Sequence, residues 1–148
     1  MPDKKDRKNA SLYCSFRNGQ YALYDQYAKS RGILMNTFFV LNVLFYKKDG
    51  MTQKEICESI HHSKQTVSLI VRNLEKSGYA VLKENPEDKR NRIVKLTGAG
   101  RNYAEKPVRH ISEAEDKAMS MFTDKEQETL ISLSRRFTEN LTKFVKWK

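Results

Sequence analysis

The residues best equipped for chemistry lie in two clusters, and both suit a polyanionic partner. The stretch Glu84-Asn85-Pro86-Glu87-Asp88-Lys89-Arg90-Asn91 mixes turn formers with three acids and two bases, and Arg92 follows directly. Such a composition projects into solvent as a loop. Its cations, Lys89, Arg90 and Arg92, suit DNA, because a guanidinium matches the narrow, strongly negative minor groove of A·T-rich duplex. Asp88, two residues before Arg90, is placed to pair with it and aim it. The second cluster runs from Ser63 through Lys64, Gln65, Thr66 and Ser68 to Arg72. On one helix face these types can read base edges. Gln65 suits a paired hydrogen bond to adenine, Lys64 or Arg72 suits guanine or phosphate, and the Thr66 methyl suits thymine. Which residue takes which role stays open. Thr52 and Gln53 stand at an earlier helix start, whose free N–H groups make a seat for a phosphate. Phosphate contacts supply affinity and base-edge contacts supply sequence choice, so both kinds are represented.

These residues need elements to hold them, and turn signals divide the chain into helices with one strand pair between them. Leu12, Phe16, Leu23 and Tyr27 sit near helical spacing until Gly32 ends a first helix. Asn36 is placed to cap a second, in which Phe38, Leu41, Leu44 and Phe45 make a broad apolar face until Asp49-Gly50 stops it. Thr52-Gln53-Lys54-Glu55 is a capping box opening a short helix to about Ile60. After a turn at His61-His62, Ser63 caps a further helix with Val67, Ile70, Val71 and Leu74 facing inward and Gly78 at its C′ position. Two short helices meeting at a tight turn form the helix-turn-helix pattern. Residues 79–83 and 92–96 read as strands flanking the polar loop, which is then a wing. From Thr97 the pattern predicts one helix to about Phe122 and another opened by a capping box at Thr123 to Glu126. Leu130, Leu133, Phe137, Leu141 and Phe144 recur along the last helix at threes and fours, a stripe wider than a terminal helix needs for itself.

Composition narrows the partners. The chain has 148 residues, with 28 Lys and Arg against 18 Asp and Glu, a formal charge of +10 that attracts polyanions before any motif is considered. Nucleic acid leads and an anionic membrane surface is second. The membrane reading weakens because the longest apolar run, near Phe38 to Tyr46, is interrupted by Asn42 and is too short to span a bilayer. Residues 1–9 are charged and polar, unlike a secretory signal, so the expected location is the cytoplasm. Cys14 and Cys57 form no CxxC pair, and free thiols are expected. Cys57, beside Ile56 and Ile60, reads as a small core residue. His61, His62, His110 and Glu58 lack tight ligand spacing, and no metal is expected. No nucleophile, base and orienter group together and no Gly-rich phosphate loop appears, so neither an enzyme nor a cofactor is expected. Lys143, Lys146 and Lys148 complement the negative end of the last helix.

The stretch from Asn85 to Gly100, with Asp88-Lys89-Arg90 and then Leu96-Thr97-Gly98-Ala99-Gly100, resembles the wing and following turn of the MarR family of bacterial regulators, usually Asp-Pro-x-Asp-Arg-Arg and Leu-Thr-x-x-Gly. Residues 66–79, ending Leu74-Glu75-Lys76-Ser77-Gly78, are similar to that family's recognition helix. Asn85 stands where the family often has Asp, and Lys89 where it has Arg; both departures keep polarity or charge. The resemblance implies a homodimer built from the first and last helices, Arg90 entering the minor groove with Asp88 orienting it, and a small-molecule effector. Cys14 with Tyr13, Tyr21 and Tyr24 is loosely similar to an oxidant-sensing branch but falls late in the register, so that role is not carried over.

The reading is an α+β, mostly helical chain of a single domain, 1–148. Residues 35–97 form a winged helix-turn-helix lobe, and residues 10–34 and 98–148 form a helical dimerisation region. Leu12, Phe16, Leu130, Phe137, Leu141 and Phe144 are the expected dimer contacts. The expected function is a sequence-specific double-stranded DNA-binding regulator, acting as a repressor on an inverted-repeat operator. The rival is an architectural protein that binds DNA by charge alone, for which affinity would follow salt and no site would be preferred.

Overall fold

The structure, a computed structural model, describes residues 3–145; Met1, Lys146 and Lys148 lie outside the described residues. The elements are α1 (Lys4–Ser30), α2 (Met35–Phe45), β1 (Met51–Thr52), α3 (Gln53–Ile60), α4 (Lys64–Lys76), β2 (Ala80–Lys83), β3 (Ile93–Leu96), α5 (Gly98–Ser120) and α6 (Asp124–Phe144). They fall into two compact units, one to Val108 and one from Arg109, with α5 contributing to both. This is the mostly helical winged helix-turn-helix architecture expected from the order of turn signals.

In the first unit, α1 begins well before its first large apolar residue. Asp3 and Asp6 form a reciprocal capping box that satisfies the free N–H groups of the first turn, so the helix starts at Lys4 on polar chemistry alone. Hydrophobic spacing marks cores and misses such a start. At the other end Gly32 takes a left-handed φ of 69°, and the Ile33 N–H closes back on the Ala28 carbonyl at 2.9 Å. Only Ala28 of this long helix is buried; Leu23, one of the apolar residues near helical spacing, is 67% exposed.

The core forms around α2. Phe38, Val40, Leu41, Leu44 and Phe45 are buried, together with Ile56 of α3, Val67 and Val71 of α4 and Val94 of β3. The expected Asn36 cap is not made. Leu34 occupies the N-cap position without a side-chain hydrogen bond, Asn36 lies inside the first turn, and its Oδ1 is buried with no partner. The second helix also ends earlier than Asp49-Gly50, at Phe45. Gly50 instead leads into β1, a strand that sequence periodicity did not predict because it is two residues long. The Gly50 φ is 88°, and a Cβ there would lie 2.6 Å from the Val94 carbonyl oxygen, so only glycine lets the chain pass this close to β3. The sheet is antiparallel in the order β1-β3-β2, with Met51 opposite Val94 and Leu82 opposite Val94 on the other side. The central strand therefore ties the wing to the start of α3.

A compact node joins the recognition helix, the wing and α5. Helix α4 ends in a Schellman arrangement: Gly78 adopts a φ of 78°, its N–H reaches the Glu75 carbonyl at 3.0 Å, and the Tyr79 N–H reaches Leu74 at 2.8 Å. The Thr97 hydroxyl donates to the Gly78 carbonyl at 2.6 Å and accepts from the Gly100 N–H at 3.0 Å, while the Thr97 N–H donates to the Tyr79 carbonyl at 3.0 Å. One threonine thus caps α5 and clamps it to the end of α4. Gly100 rides directly on the Tyr79 backbone, with no room for a Cβ. Tyr79 and Tyr103 stack with centroids 4.3 Å apart, and burial, with Tyr79 adding to it, raises the Tyr103 phenol above its ordinary pKa. On the opposite side Arg101 lies 4.8 Å over the Phe45 ring and donates to the Phe45 carbonyl at 3.2 Å, satisfying an orphan acceptor at the end of α2.

The second unit is a helical hairpin. Thr123 caps α6 reciprocally with Glu126, and the Thr123 backbone N–H donates to the Glu126 carboxylate at 3.0 Å, holding that carboxyl below its ordinary pKa. Gln127 Nε2 ties the turn by donating to the carbonyls of Met119 and Phe122. No residue of α6 is buried, although its apolar residues follow one stripe.

Gly100→Ala places a methyl against the Tyr79 backbone, which cannot yield as a flexible side chain would. The expected cost is about 1–3 kcal/mol, comparable to overpacking a rigid core. Urea unfolding followed by circular dichroism measures it, and an unchanged midpoint would show that α5 is free to lift from this node.

Candidate nucleic-acid interface

The wing tip is held by side chains that imitate backbone. The Asn85 Oδ1 accepts from the Glu87 N–H at 3.1 Å, and the Asp88 Oδ1 accepts from the Arg90 N–H at 3.0 Å, two successive Asx turns. The second Asp88 oxygen accepts from Asn91 Nδ2 at 2.8 Å, and the Asn91 N–H donates to the Asp88 carbonyl at 3.1 Å. The expected Asp88–Arg90 partnership therefore runs through the Arg90 backbone. Its carboxylate is occupied by the loop it shapes, and Arg90 is exposed. Asn91, not among the expected site residues, completes this brace; the signal for it was the Asx-rich composition of the tip.

Helix α4 is positioned from both ends. Ser63 caps it by accepting from the Thr66 N–H at 3.2 Å, and the Ser63 hydroxyl donates to Thr66 Oγ1 at 2.9 Å. Val67, Ile70, Val71 and Leu74 anchor its inner face in the core. His61, in the left-handed region at φ 55°, makes the sharp turn between α3 and α4. Thr52 and Glu55 form the expected capping box at the start of α3.

These elements enclose a groove of about 510 Å³ between the helix-turn-helix and the wing. It is lined by Gln53, Lys54, Cys57, Lys64, Leu82, Lys89, Arg90, Asn91 and Arg92. Five of those side chains are cations, with no acid among them, so the groove concentrates positive potential. Of the residues singled out from sequence, the fold brings Gln53, Lys64, Lys89, Arg90 and Arg92 together here. Lys54 joins them unforeseen, because only its place in the first turn of α3 aims it at the wing. Thr52, Ser63, Gln65, Thr66, Ser68 and Arg72 do not line the groove; Gln65 and Arg72 are exposed on α4, whereas Thr66 and Ser68 are half-buried. Cys57, expected in the core, is half-buried and lines the groove instead, since α3 turns only Ile56 fully inward. Both thiols are free. Among the described residues no three His, Cys, Asp or Glu side chains group as metal ligands, and no helix is long and apolar enough to cross a membrane.

The residues expected at a dimer contact are exposed or half-buried. Leu12 and Phe16 on α1 are 53% and 59% exposed, and Leu130, Leu141 and Phe144 on α6 are exposed as well, while Phe137 is half-buried.

Comparison with known proteins matches this geometry. Residues 32–91, covering α2 through the wing tip, match the MarR family model. No curated protein sequence matches the chain. Among solved structures, the fold is similar to that of NMB1585, a MarR family regulator from Neisseria meningitidis, at 27% identity with a TM-score of 0.80, covering 93% of this chain and 96% of that one. S. aureus MepR, solved as a complex with DNA, shares the fold at 22% identity and a TM-score of 0.72, over 88% of this chain and 96% of its own. AbsC, a MarR family transcriptional regulator from Streptomyces coelicolor, shares it at 14% identity and a TM-score of 0.79, over 96% and 97%. The family match falls on the helix-turn-helix and wing, and the likeness to the Neisseria regulator runs nearly end to end, so the chain is similar to MarR family regulators both in its helix-turn-helix lobe and in its overall fold.

Proposed function

We propose that this chain is a sequence-specific double-stranded DNA-binding transcriptional regulator, working as a homodimer on an inverted-repeat operator and repressing by occlusion. The observation that carries the reading is the groove in which Lys54, Lys64, Lys89, Arg90 and Arg92 converge between α4 and the wing. Cations brought together from three separate elements suit the phosphates of a duplex whose major groove holds α4 and whose minor groove holds Arg90. The start of α3, with Thr52 and Gln53, is the phosphate seat beside them. The fold-sharing MepR complex with DNA supports the same reading.

The dimer rests on a different observation. Helix α6 runs from Asp124 to Phe144 without burying a residue, and α1 buries only Ala28, yet both carry large apolar side chains. Such stripes are stable in water when another surface covers them. A second copy offers the matching stripes by two-fold symmetry, with Leu12, Phe16, Leu130, Phe137, Leu141 and Phe144 as its contacts. A two-fold dimer sets its recognition helices about 34 Å apart, one turn of duplex, which is why the operator is an inverted repeat. Release by a small-molecule effector belongs to the same reading, on the strength of the resemblance to the family.

Selection from random duplex at near-physiological salt should enrich an inverted repeat; a pool with no preferred sequence would point to charge-driven architectural binding. On that operator Arg90→Ala is expected to weaken binding about tenfold and to lower the salt slope by about one. Asp88→Ala separates positioning from charge. Removing an acid should tighten binding to a polyanion, but loss of the wing brace should weaken it by about fivefold, and fluorescence anisotropy reads which sign prevails. Leu141→Lys is expected to yield monomers in analytical ultracentrifugation. An undisturbed dimer would move the interface elsewhere.

A further inference from the structure

The outward face of α4 is polar with one exception. Gln65, Leu69, Arg72 and Lys76 follow one another at spacings of four, three and four, which places them on a single stripe opposite the buried Val67, Ile70, Val71 and Leu74. Leu69 stands in the middle of that stripe and is 54% exposed. It contributes nothing to the core that an inward leucine would. Its neighbours on the stripe are an amide and two cations, so a protein-binding apolar face is not what surrounds it. The charges match a polyanion, and the groove between the helix-turn-helix and the wing carries five cations and no acid.

Duplex DNA offers one apolar group that such a side chain can meet inside a polar, anionic groove: the C5-methyl of thymine, exposed on the major-groove edge. We infer that Leu69 selects thymine in each half of the bound site by packing on that methyl. Gln65, one turn before it, and Arg72, about one turn after, contact the flanking bases or phosphates. Thr66, whose methyl was the other candidate, is less suited. It is half-buried on the side of the helix, and its hydroxyl is engaged by Ser63. The inference rests on the proposed DNA-binding function and adds the base feature that the recognition helix reads.

The test uses the full-length protein and its selected duplex, with each thymine replaced in turn by deoxyuridine, which removes the methyl and leaves every hydrogen-bonding group. At one thymine per half-site the replacement should weaken wild-type binding about fourfold, and about sixteenfold when both halves are changed, the loss expected for one buried methyl each. Leu69→Ala should weaken binding to the thymine duplex and be indifferent to that same replacement; Leu69→Met, which keeps an apolar reach, should restore the sensitivity. Because Leu69 is outside the core, the thermal unfolding of both variants should match wild type. If the selected duplex is bound specifically and no deoxyuridine replacement matters, or if Leu69→Ala keeps the wild-type sensitivity, the role of Leu69 is overturned and the DNA-binding function stands. If no sequence is preferred at all, both fall together.

Discussion

The hydrogen bonds of Thr97 hold the geometry on which everything else in the lobe depends. Its hydroxyl donates to Gly78 at the end of the recognition helix and accepts from Gly100 at the start of α5, while its N–H closes on Tyr79 at the root of the wing. Three elements that must keep fixed relative positions meet at one residue. Gly100 makes the contact close enough for the bonds to form, and the Tyr79–Tyr103 stack adds a second link between the root of the wing and α5. A groove between a helix and a hairpin has defined dimensions only when both are fastened to a common point, and this is that point. The Leu-Thr-x-x-Gly signature is therefore a physical joint: a hydroxyl that can bond in two directions, then a residue without a Cβ.

Rigidity is distributed unevenly for a reason. Around α2 the side chains are buried nearly all round, and Arg101 fixes the end of that helix to α5. The wing, by contrast, has no core of its own and is shaped by Asx turns, which bring order through two or three hydrogen bonds at the surface. A loop built this way can present arginines at the tip without burying charge. Using Asp88 on the backbone rather than on the guanidinium leaves Arg90 its full complement of donors, and a salt bridge would have spent them. The helices at the two ends carry apolar stripes that their own units do not cover.

Much of this was legible from the residues alone. Capping boxes at Thr52 and Thr123, the Ser63 cap, the left-handed Gly78 and the buried set Val67, Ile70, Val71 and Leu74 all appear where the spacing put them, because each depends on neighbours within one helical turn. The errors share an opposite cause. Asn36 looked like a cap, but the chain enters α2 at Leu34, a boundary decided by how α2 packs. Gly50 looked like a helix stop and is instead the glycine that lets β1 approach β3, a neighbour more than forty residues away. Cys57 looked like core because Ile56 and Ile60 flank it, yet helical rotation turns it toward the groove.

By itself, then, the sequence determined whatever local chemistry decides: the order of helices, the capped starts of α3, α4 and α6, the turn-rich basic tip and the net positive charge. Only the tertiary structure decided which cations share a space. Lys54 and Arg92 are separated by thirty-eight positions, with α4 and β2 between them, and the pairing of β1 with β3 is what brings the start of α3 and the base of the wing together. Periodicity records which way a side chain points from its own helix axis. The groove is a relation between axes, set by a buried core and the Thr97 joint, and that relation has no signature in residues taken one turn at a time.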